Sequence, residues 1–152
     1  MTDADFHTVE QLRQVAARYA TGVDRRDRGR FLDAFHADAT LSIFNDGQPG
    51  GLTRELRGHD QLASIVERIA RYPTTFHLLG QSSYEIAGAE ATGEVYCVAH
   101  HRLPRDESAT EVMYIRYLDR YRRGADDVWR IATRRVVVDW RETRASSTEV
   151  VP

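Results

Sequence analysis

The sequence contains a single cysteine, Cys97, among its 152 residues. One cysteine excludes an internal disulfide and suits a reducing compartment. Long apolar runs are also missing, since no segment approaches the roughly 18 residues of a membrane-spanning helix. The opening stretch MTDADFHTVE is acidic and lacks the apolar core of a signal peptide. We therefore expect a cytoplasmic protein with no membrane partner.

A surplus of one charge is lacking as well. The chain has 21 basic and 23 acidic residues, for a formal net charge of -2, and its arginines are spread along its length. This balance argues against a nucleic-acid partner, which requires a clustered positive field. The six histidines show no spacing typical of zinc or iron sites, and GQPGG is not a phosphate-binding loop. We expect neither a metal nor another cofactor.

What the sequence does contain is the composition of one globular domain. Its residues are 41% hydrophobic and 29% charged, and the length suffices for one core but not for two. We assign residues 1–145 to a single domain and expect residues 146–152 to form a flexible tail.

The first half of the chain has a helical pattern. Apolar residues recur at spacings of three and four over residues 8–26 and predict a helix. Asp27 can cap a second, short helix that carries Phe31, Leu32 and Phe35, and a third helix ends before Pro73. Between these two helices, ATLSIF and LTRELRG are predicted short strands separated by the turn-rich NDGQPGG.

From residue 74 onward the apolar pattern has a period of two. It predicts four long strands, at residues 74–86, 91–103, 110–122 and 128–140, with hairpin sequences between them. Helices followed by an antiparallel meander indicate an α+β fold. We expect three N-terminal helices packed on a curved, mainly antiparallel sheet, forming a cone with a cavity of the kind that binds small molecules.

Alternation along the last strand assigns its faces. Trp129, Ile131 and Arg135 share one face, which we take as the inner one because its first two members are core residues. Arg135 would then point toward the core or a cavity and need a carboxylate or an anionic ligand as partner. A β-bulge would reverse this assignment.

The opposite face of the same strand carries Val136, Val138 and Trp140. Such an apolar row is too large to leave in water. We therefore expect a homo-oligomer, a dimer or a trimer, formed through the outer face of the sheet.

Five stretches, in this order and spacing, resemble the SnoaL-like group of the nuclear transport factor 2-like superfamily: RYATGVDRRDRGRFLDAFHADATL, RYPTTFHLLG, VYCVAHHR, RYLDRYRRGADDVWRI and RRVVVDW. The group includes scytalone dehydratase, bile-acid 7-alpha-dehydratase and lindane dehydrochlorinase. The resemblance spans about residues 8–140 and implies a cone-shaped α+β fold that binds a small hydrophobic or aromatic ligand.

The resemblance also implies a catalytic set. In the family, an aspartate late in the first helix and a histidine on the first long strand form a dyad, and these fall on Asp24 and His77. A tyrosine five residues before the aspartate falls on Tyr19. An arginine of the last strand falls on Arg135, or less directly on Arg134.

Substrate binding is assigned less directly. A second histidine of scytalone dehydratase matches His100, whereas Asn45 and Val23 stand where that enzyme has substrate-positioning tyrosines. We assign His100, Asn45 and the inward-facing Trp129 to substrate binding. The dyad is retained while the substrate-orienting residues differ.

Each residue of the set also has an ordinary structural interpretation. Asp24 can be an exposed residue at a helix end, His77 a structural histidine, Tyr19 a core residue and Arg135 half of an ion pair. Taken together with the resemblance, they indicate a lyase of dehydratase type acting on a polycyclic or aromatic hydroxy-ketone. The alternatives are a polyketide cyclase, a ketosteroid-isomerase-like enzyme, or a non-catalytic subunit like the small subunit of ring-hydroxylating dioxygenases.

Overall fold

The computed structural model of the protein describes residues 3–45, 51–105 and 108–145. The predicted tail at residues 146–152 and most of the NDGQPGG turn lie outside the described residues. The helices are α1 (Asp3–Arg25), α2 (Arg28–Asp33) and α3 (Gly58–Ile69). The strands are β1 (Phe35–Asn45), β2 (Leu52–Arg57), β3 (Thr75–Ala87), β4 (Glu90–Arg102), β5 (Ala109–Arg123) and β6 (Trp129–Ala145).

The six strands form one curved sheet in the order β2-β1-β6-β5-β4-β3. All neighbouring strands are antiparallel except β1 and β6, which run parallel. The predicted α+β fold with three helices is therefore confirmed. Phe35 differs from the prediction because it begins β1 instead of extending α2; it pairs with Ile131, whose N–H donates to the carbonyl of Ala34 at 2.9 Å.

The core lies between the helices and the inner face of the sheet. From α1 and α3 it takes Leu12, Val15, Leu62 and Val66, and from the strands Val95, Cys97, Ala99, Tyr117 and Ile131. Cys97 is a small core residue, and burial raises the pKa of its thiol to about 11.

The turn between α1 and α2 fixes the position of Asp24. Directly after α1, Arg26 lies in the left-handed region at φ 55°, and the N–H groups of Arg26 and Asp27 donate back to the carbonyls of Val23 and Gly22 at 3.2 and 2.9 Å. As predicted, the Asp27 side chain caps α2, accepting from the Arg30 N–H at 2.9 Å. These bonds set the last turn of α1, and with it Asp24, beside β3.

Two irregularities in β6 change which residues face inward. Arg120 pairs with Thr133 and Tyr121 with Ile131, so Ala132 is an extra residue in the strand. Beyond it Arg134 is fully buried and Arg135 is exposed. The prediction that Arg135 points inward is therefore wrong, because a β-bulge at Ala132 reverses the alternation.

The same bulge turns Val136 and Val138 into the cavity, so their predicted place on the outer face is also wrong. A second extra residue, Asp139, lies between the pairs of Val138 with Ile115 and of Trp140 with Tyr114. It reverses the alternation again. Trp140 is thus on the outer face, as predicted, and is 54% exposed.

Candidate functional site

A cavity of about 410 Å³ lies between the helices and the inner face of the sheet. The helices contribute Val23, Ile65 and Ile69 to its wall, and the strands contribute Leu41, Met113, Ile115, Val136 and Val138. Most of this wall is apolar, and the volume of the cavity falls in the range of small-molecule sites. Two histidines, His77 and His101, also lie in the wall.

The structure brings Asp24 and His77 together at this wall. The Nδ1 atom of His77 lies 2.7 Å from Oδ1 of Asp24, and the His77 backbone N–H donates to Oδ2 at 2.8 Å. The hydroxyl of Thr75 donates to Oδ1 at 2.9 Å. The side chains of His77 and Asp24 are 5% and 19% exposed. Three donors therefore converge on one partly buried carboxylate.

These bonds set the protonation of the pair. Partial burial raises the pKa of Asp24, but the hydrogen bonds and charge of His77, with the bond from Thr75, outweigh it, so the pKa is lowered overall. Since a carboxylate only accepts, Nδ1 of His77 must carry the hydrogen that it shares with Asp24. Nε2 is then the nitrogen left free to act as a base.

Arg26 stabilises the positions of Asp24 and Thr75 through hydrogen bonds of its guanidinium group. Its Nη1 donates to the Asp24 carbonyl at 2.6 Å and to Thr75 Oγ1 at 2.9 Å, and its Nη2 donates to the Tyr72 carbonyl at 2.8 Å. Because Thr75 Oγ1 accepts from Arg26, its own hydrogen is directed to Asp24. Sequence reasoning missed Arg26, since its left-handed backbone and its reach to β3 leave no periodic signal.

The second histidine of the site is His101, not His100. On β4, His101 pairs with Thr75 and Ala99 pairs with His77, so the rings of His77 and His101 share the inner face, 5.6 Å apart. His100 pairs with Phe76, which is exposed on the outer face. The predicted place of His100 in the substrate site is therefore wrong. Neighbouring residues of a strand face opposite ways, and the inward one is His101.

His101 is neutral in this environment. Burial, followed by the charge of His77, lowers its pKa to about 3; Arg26 and Arg71 act in the same direction, and Asp24 opposes them. The Tyr72 ring packs on it at 4.7 Å. Within the described part of the chain, neither ring nitrogen has a hydrogen-bond partner. His101 thus holds an unused donor and an unused acceptor, both buried, behind the cavity wall.

Tyr19 lies in the cavity wall, as part of an aromatic cluster. Its ring is 5.4 Å from Phe31, 5.9 Å from Phe35 and 5.4 Å from Tyr117. Burial raises the pKa of its hydroxyl, although the charge of Arg134 opposes the shift. The hydroxyl is therefore protonated at neutral pH and can serve only as a neutral donor.

The inward arginine is Arg134, and its charge is already balanced. Its guanidinium lies 4.2 Å from the ring centres of both Tyr19 and Tyr117. Asp119 accepts from its Nε and Nη2 atoms at 2.8 and 2.7 Å, and Tyr121 donates to the same carboxylate at 2.6 Å. This buried pair fixes the two tyrosine rings instead of offering a free charge.

The three remaining predicted residues lie in different places. Arg135 is exposed and its guanidinium lies 4.7 Å from the Phe44 ring centre. Asn45 lines the cavity, and its side-chain oxygen accepts from Arg141. Trp129 is 3% exposed in the core and is not part of the cavity wall, so its predicted contact with substrate is wrong. Trp129 precedes the bulge, in the part of β6 that packs into the core.

The described residues, 3–45, 51–105 and 108–145, bear on two other kinds of feature, metal sites and membrane spans. Within these ranges, no three histidine, cysteine, aspartate or glutamate side chains gather closely enough to hold a metal ion. No helix in the same ranges is long and apolar enough to cross a membrane. The donors at the site are those of acid-base chemistry.

The model of the SnoaL-like domain family matches residues 4–135. A search of curated proteins finds no significant match. Among solved structures, a candidate scytalone dehydratase from Novosphingobium aromaticivorans has a TM-score of 0.79 at 18% identity, covering 98% of this chain and 94% of that one. The hexachlorocyclohexane dehydrochlorinase LinA-type3 from Novosphingobium barchaimii has a TM-score of 0.80 at 18% identity, covering 99% and 100%.

A third similar structure is the beta subunit of a candidate aromatic-ring-hydroxylating dioxygenase from Novosphingobium aromaticivorans. Its TM-score is 0.74 at 16% identity, covering 91% of this chain and 93% of that one. At such identities the three likenesses concern the fold, whereas the family match covers most of the chain. The chain therefore belongs to the SnoaL-like domain family, within the nuclear transport factor 2-like superfamily that its sequence resembles.

Proposed function

We propose that the protein is a cofactor-independent lyase that eliminates water from a polycyclic or aromatic hydroxy-ketone, with His77 as its general base. The observation that carries the proposal is the 2.7 Å bond between His77 Nδ1 and Asp24 Oδ1 in the wall of an apolar cavity. The fold is also that of a candidate dehydratase and of a dehydrochlorinase, which are both named for eliminations.

The proposed reaction begins at Nε2 of His77. This nitrogen removes a proton from the carbon next to the substrate carbonyl, and Asp24 stabilises the imidazolium that results. The electron pair left on carbon becomes the new carbon–carbon double bond as the carbon–oxygen bond to the hydroxyl breaks. The departing hydroxyl takes the proton from Nε2, so water leaves and His77 returns to its starting form.

His101 and Tyr19 are the proposed donors to the substrate oxygen. His101 is neutral because its pKa lies at about 3, so it can donate an N–H to a developing enolate without being a competing acid. Tyr19 presents a protonated hydroxyl at the same wall. Arg134 is left out of this role, because Asp119 already occupies two of its donors.

Three alternatives are compatible with the same fold. An isomerisation or a ring closure also passes through an enolate, and the same donors would support either. A non-catalytic subunit is the alternative favoured by the likeness to a dioxygenase beta subunit. The open cavity and the three bonds on Asp24 favour an enzyme, because a purely structural role needs neither.

A homo-oligomer remains part of the proposal, through a row that keeps Trp140 but no longer includes Val136 and Val138. Leu78, Val98, Tyr114 and Trp140 form one cross-strand row on the outer face of four adjacent strands. Tyr114 and Trp140 stack at 4.1 Å, and Leu78 is 57% exposed. An apolar row of this extent fits a second copy of the same sheet face.

The test of the proposed reaction is turnover of a panel of β-hydroxy-ketones of steroid and polyketide size, followed by the ultraviolet absorbance of the conjugated product. His77→Ala should reduce turnover on the order of a hundredfold to ten-thousandfold. Asp24→Asn should also cost heavily, because an amide cannot stabilise the imidazolium. His7→Ala, at an exposed histidine of α1, is the matched control. Near-native turnover in His77→Ala would refute the mechanism.

A further inference from the structure

The charges at the cavity are strongly one-sided. Among the described residues that line it, four are arginines, Arg54, Arg68, Arg71 and Arg141, whereas Glu111 is the one carboxylate. The whole chain, by contrast, has a formal net charge of -2. The positive charge at this wall is therefore local and does not follow from composition.

The four arginines surround the opening from several elements. Arg54 lies on β2, Arg68 in the last turn of α3, Arg71 in the turn that follows, and Arg141 on β6. All four are at least partly exposed, whereas the side chain of His77 is 5% exposed. The arginines thus form a rim, with the apolar wall and the histidines behind it.

Among the described residues, Arg141 is the one rim arginine with a carboxylate nearby, and Arg54 and Arg68 have no side-chain partner of any kind. Arg141 approaches Glu111 at 3.7 Å, and Arg71 donates to the Tyr72 hydroxyl at 2.8 Å. For Arg54 and Arg68, no ion pair or side-chain hydrogen bond is found within residues 3–45, 51–105 and 108–145.

Elsewhere on the sheet some arginines are paired, whereas Arg120 and Arg135 have no ion pair within the described residues. Arg116 bonds both Asp139 and Glu94, and Arg122 bonds Asp38. The helix dipole favours a cation at the end of α3 and so accounts for Arg68, but it does not account for Arg54 on a strand. What distinguishes the rim is that four guanidinium groups gather at one cavity, and this local positive charge indicates a ligand with negative charge.

We propose that the substrate of this cavity is an organic anion, with an apolar ring body against the inner wall and a carboxylate or phosphate group at the arginine rim. This inference rests on the proposed function only in taking the cavity as the substrate site. Guanidinium groups bind both anions with paired, charge-assisted hydrogen bonds. An anchor at the rim would hold the ring body at a fixed depth, against His77 and His101.

The test is binding, which does not depend on turnover. Naphthoate and naphthyl phosphate are titrated into the protein, with naphthalenemethanol as the uncharged probe of similar shape. The ring signals of His77 and His101 in nuclear magnetic resonance spectra report both the dissociation constant and whether the probe occupies the cavity. The two anions differ only in the charged group, so the tighter one identifies the rim's preferred chemistry.

The variant is Arg54→Gln with Arg68→Gln, and the control is Arg28→Gln with Arg120→Gln. The control removes the same charge at exposed positions away from the cavity wall. Losing two partly exposed charge pairs should weaken binding of the anions by about 5- to 20-fold. The control should change it by less than about twofold, a residual long-range effect that salt screens. Binding of naphthalenemethanol should be unchanged in both.

A second measurement needs no variant. Raising the salt concentration should weaken binding of the two anions to the unmodified protein and leave the uncharged probe unaffected. Equal affinity for charged and uncharged probes, or failure of the anions to move the His77 and His101 signals, overturns the inference. Turnover of neutral hydroxy-ketones without a preference for anions would overturn it too, while sparing the proposed function. Tight anion binding with no turnover of any ketone would sink the proposed function alone.

Discussion

Replacing His101 with glutamine should make the protein more resistant to acid. Burial, followed by the charge of His77, holds the pKa of His101 at about 3, against an ordinary value of 6.5. Arg26 and Arg71 add to this shift, and Asp24 opposes it. Between pH 6.5 and 3 the unfolded chain therefore binds a proton at residue 101 that the folded chain does not. The free energy of unfolding must therefore decrease as the pH is lowered through this window.

The size of the effect follows from the same values. One unit of pKa shift corresponds to about 1.4 kcal/mol, so a pH two units below the ordinary value should cost about 2.7 kcal/mol relative to neutral pH. Glutamine does not titrate and escapes this loss. Asp24 has a lowered pKa, so its contribution is present above its ordinary value of 3.8 and is lost only as the pH falls through its folded value. It does not interfere at about pH 4.5.

The assay is urea unfolding followed by circular dichroism at about pH 7 and about pH 4.5. The free energy of unfolding of His101→Gln, relative to the unmodified protein, should rise by about 2.7 kcal/mol between the two conditions. His7→Gln, at an exposed histidine, should follow the unmodified protein. If the difference between His101→Gln and the unmodified protein is the same at both pH values, the reasoning is refuted.

Three other predictions concern Arg26, Tyr19 and Trp140. Arg26→Gly relieves a left-handed backbone but removes the hydrogen bonds to Thr75 and Tyr72. The free energy of unfolding should therefore change by less than about 1 kcal/mol, while turnover falls on the order of tenfold. Unchanged turnover would contradict the role of Arg26 in holding Asp24 and Thr75. Tyr19→Phe keeps the ring and should cost less turnover than His77→Ala, and an equal loss in kinetic assays would argue against this ranking. Trp140→Glu places a charge in the outer apolar row, so light scattering should show a smaller mass; an unmodified protein that is already monomeric would exclude the oligomer.

Periodicity was sufficient to predict the main elements. The period of two placed the four long strands β3 to β6 close to their observed starts, because each strand alternates between a buried and a solvated face. The cap at Asp27 was predicted from local chemistry, since its side chain bonds its own helix. Such signals depend on neighbours in sequence, which a single chain displays.

The inward residues of β6 could not be predicted, because an extra residue in a strand has no local sequence signature. Ala132 is as ordinary in sequence as its neighbours, yet it exchanges the positions of Arg134 and Arg135. The choice between His100 and His101 failed for a related reason. A resemblance placed the second histidine to within one residue, and in a strand one residue reverses the face.

The central claim is that Asp24 holds His77 with a hydrogen on Nδ1 and a free Nε2 toward the cavity. Long-range proton–nitrogen correlation spectra of the isotope-labelled protein, recorded about two pH units above the ordinary histidine pKa, report the tautomer directly. The account predicts that His77 carries its hydrogen on Nδ1, and that Asp24→Asn loosens this preference. A His77 ring protonated on Nε2, with Nδ1 bare, would contradict it.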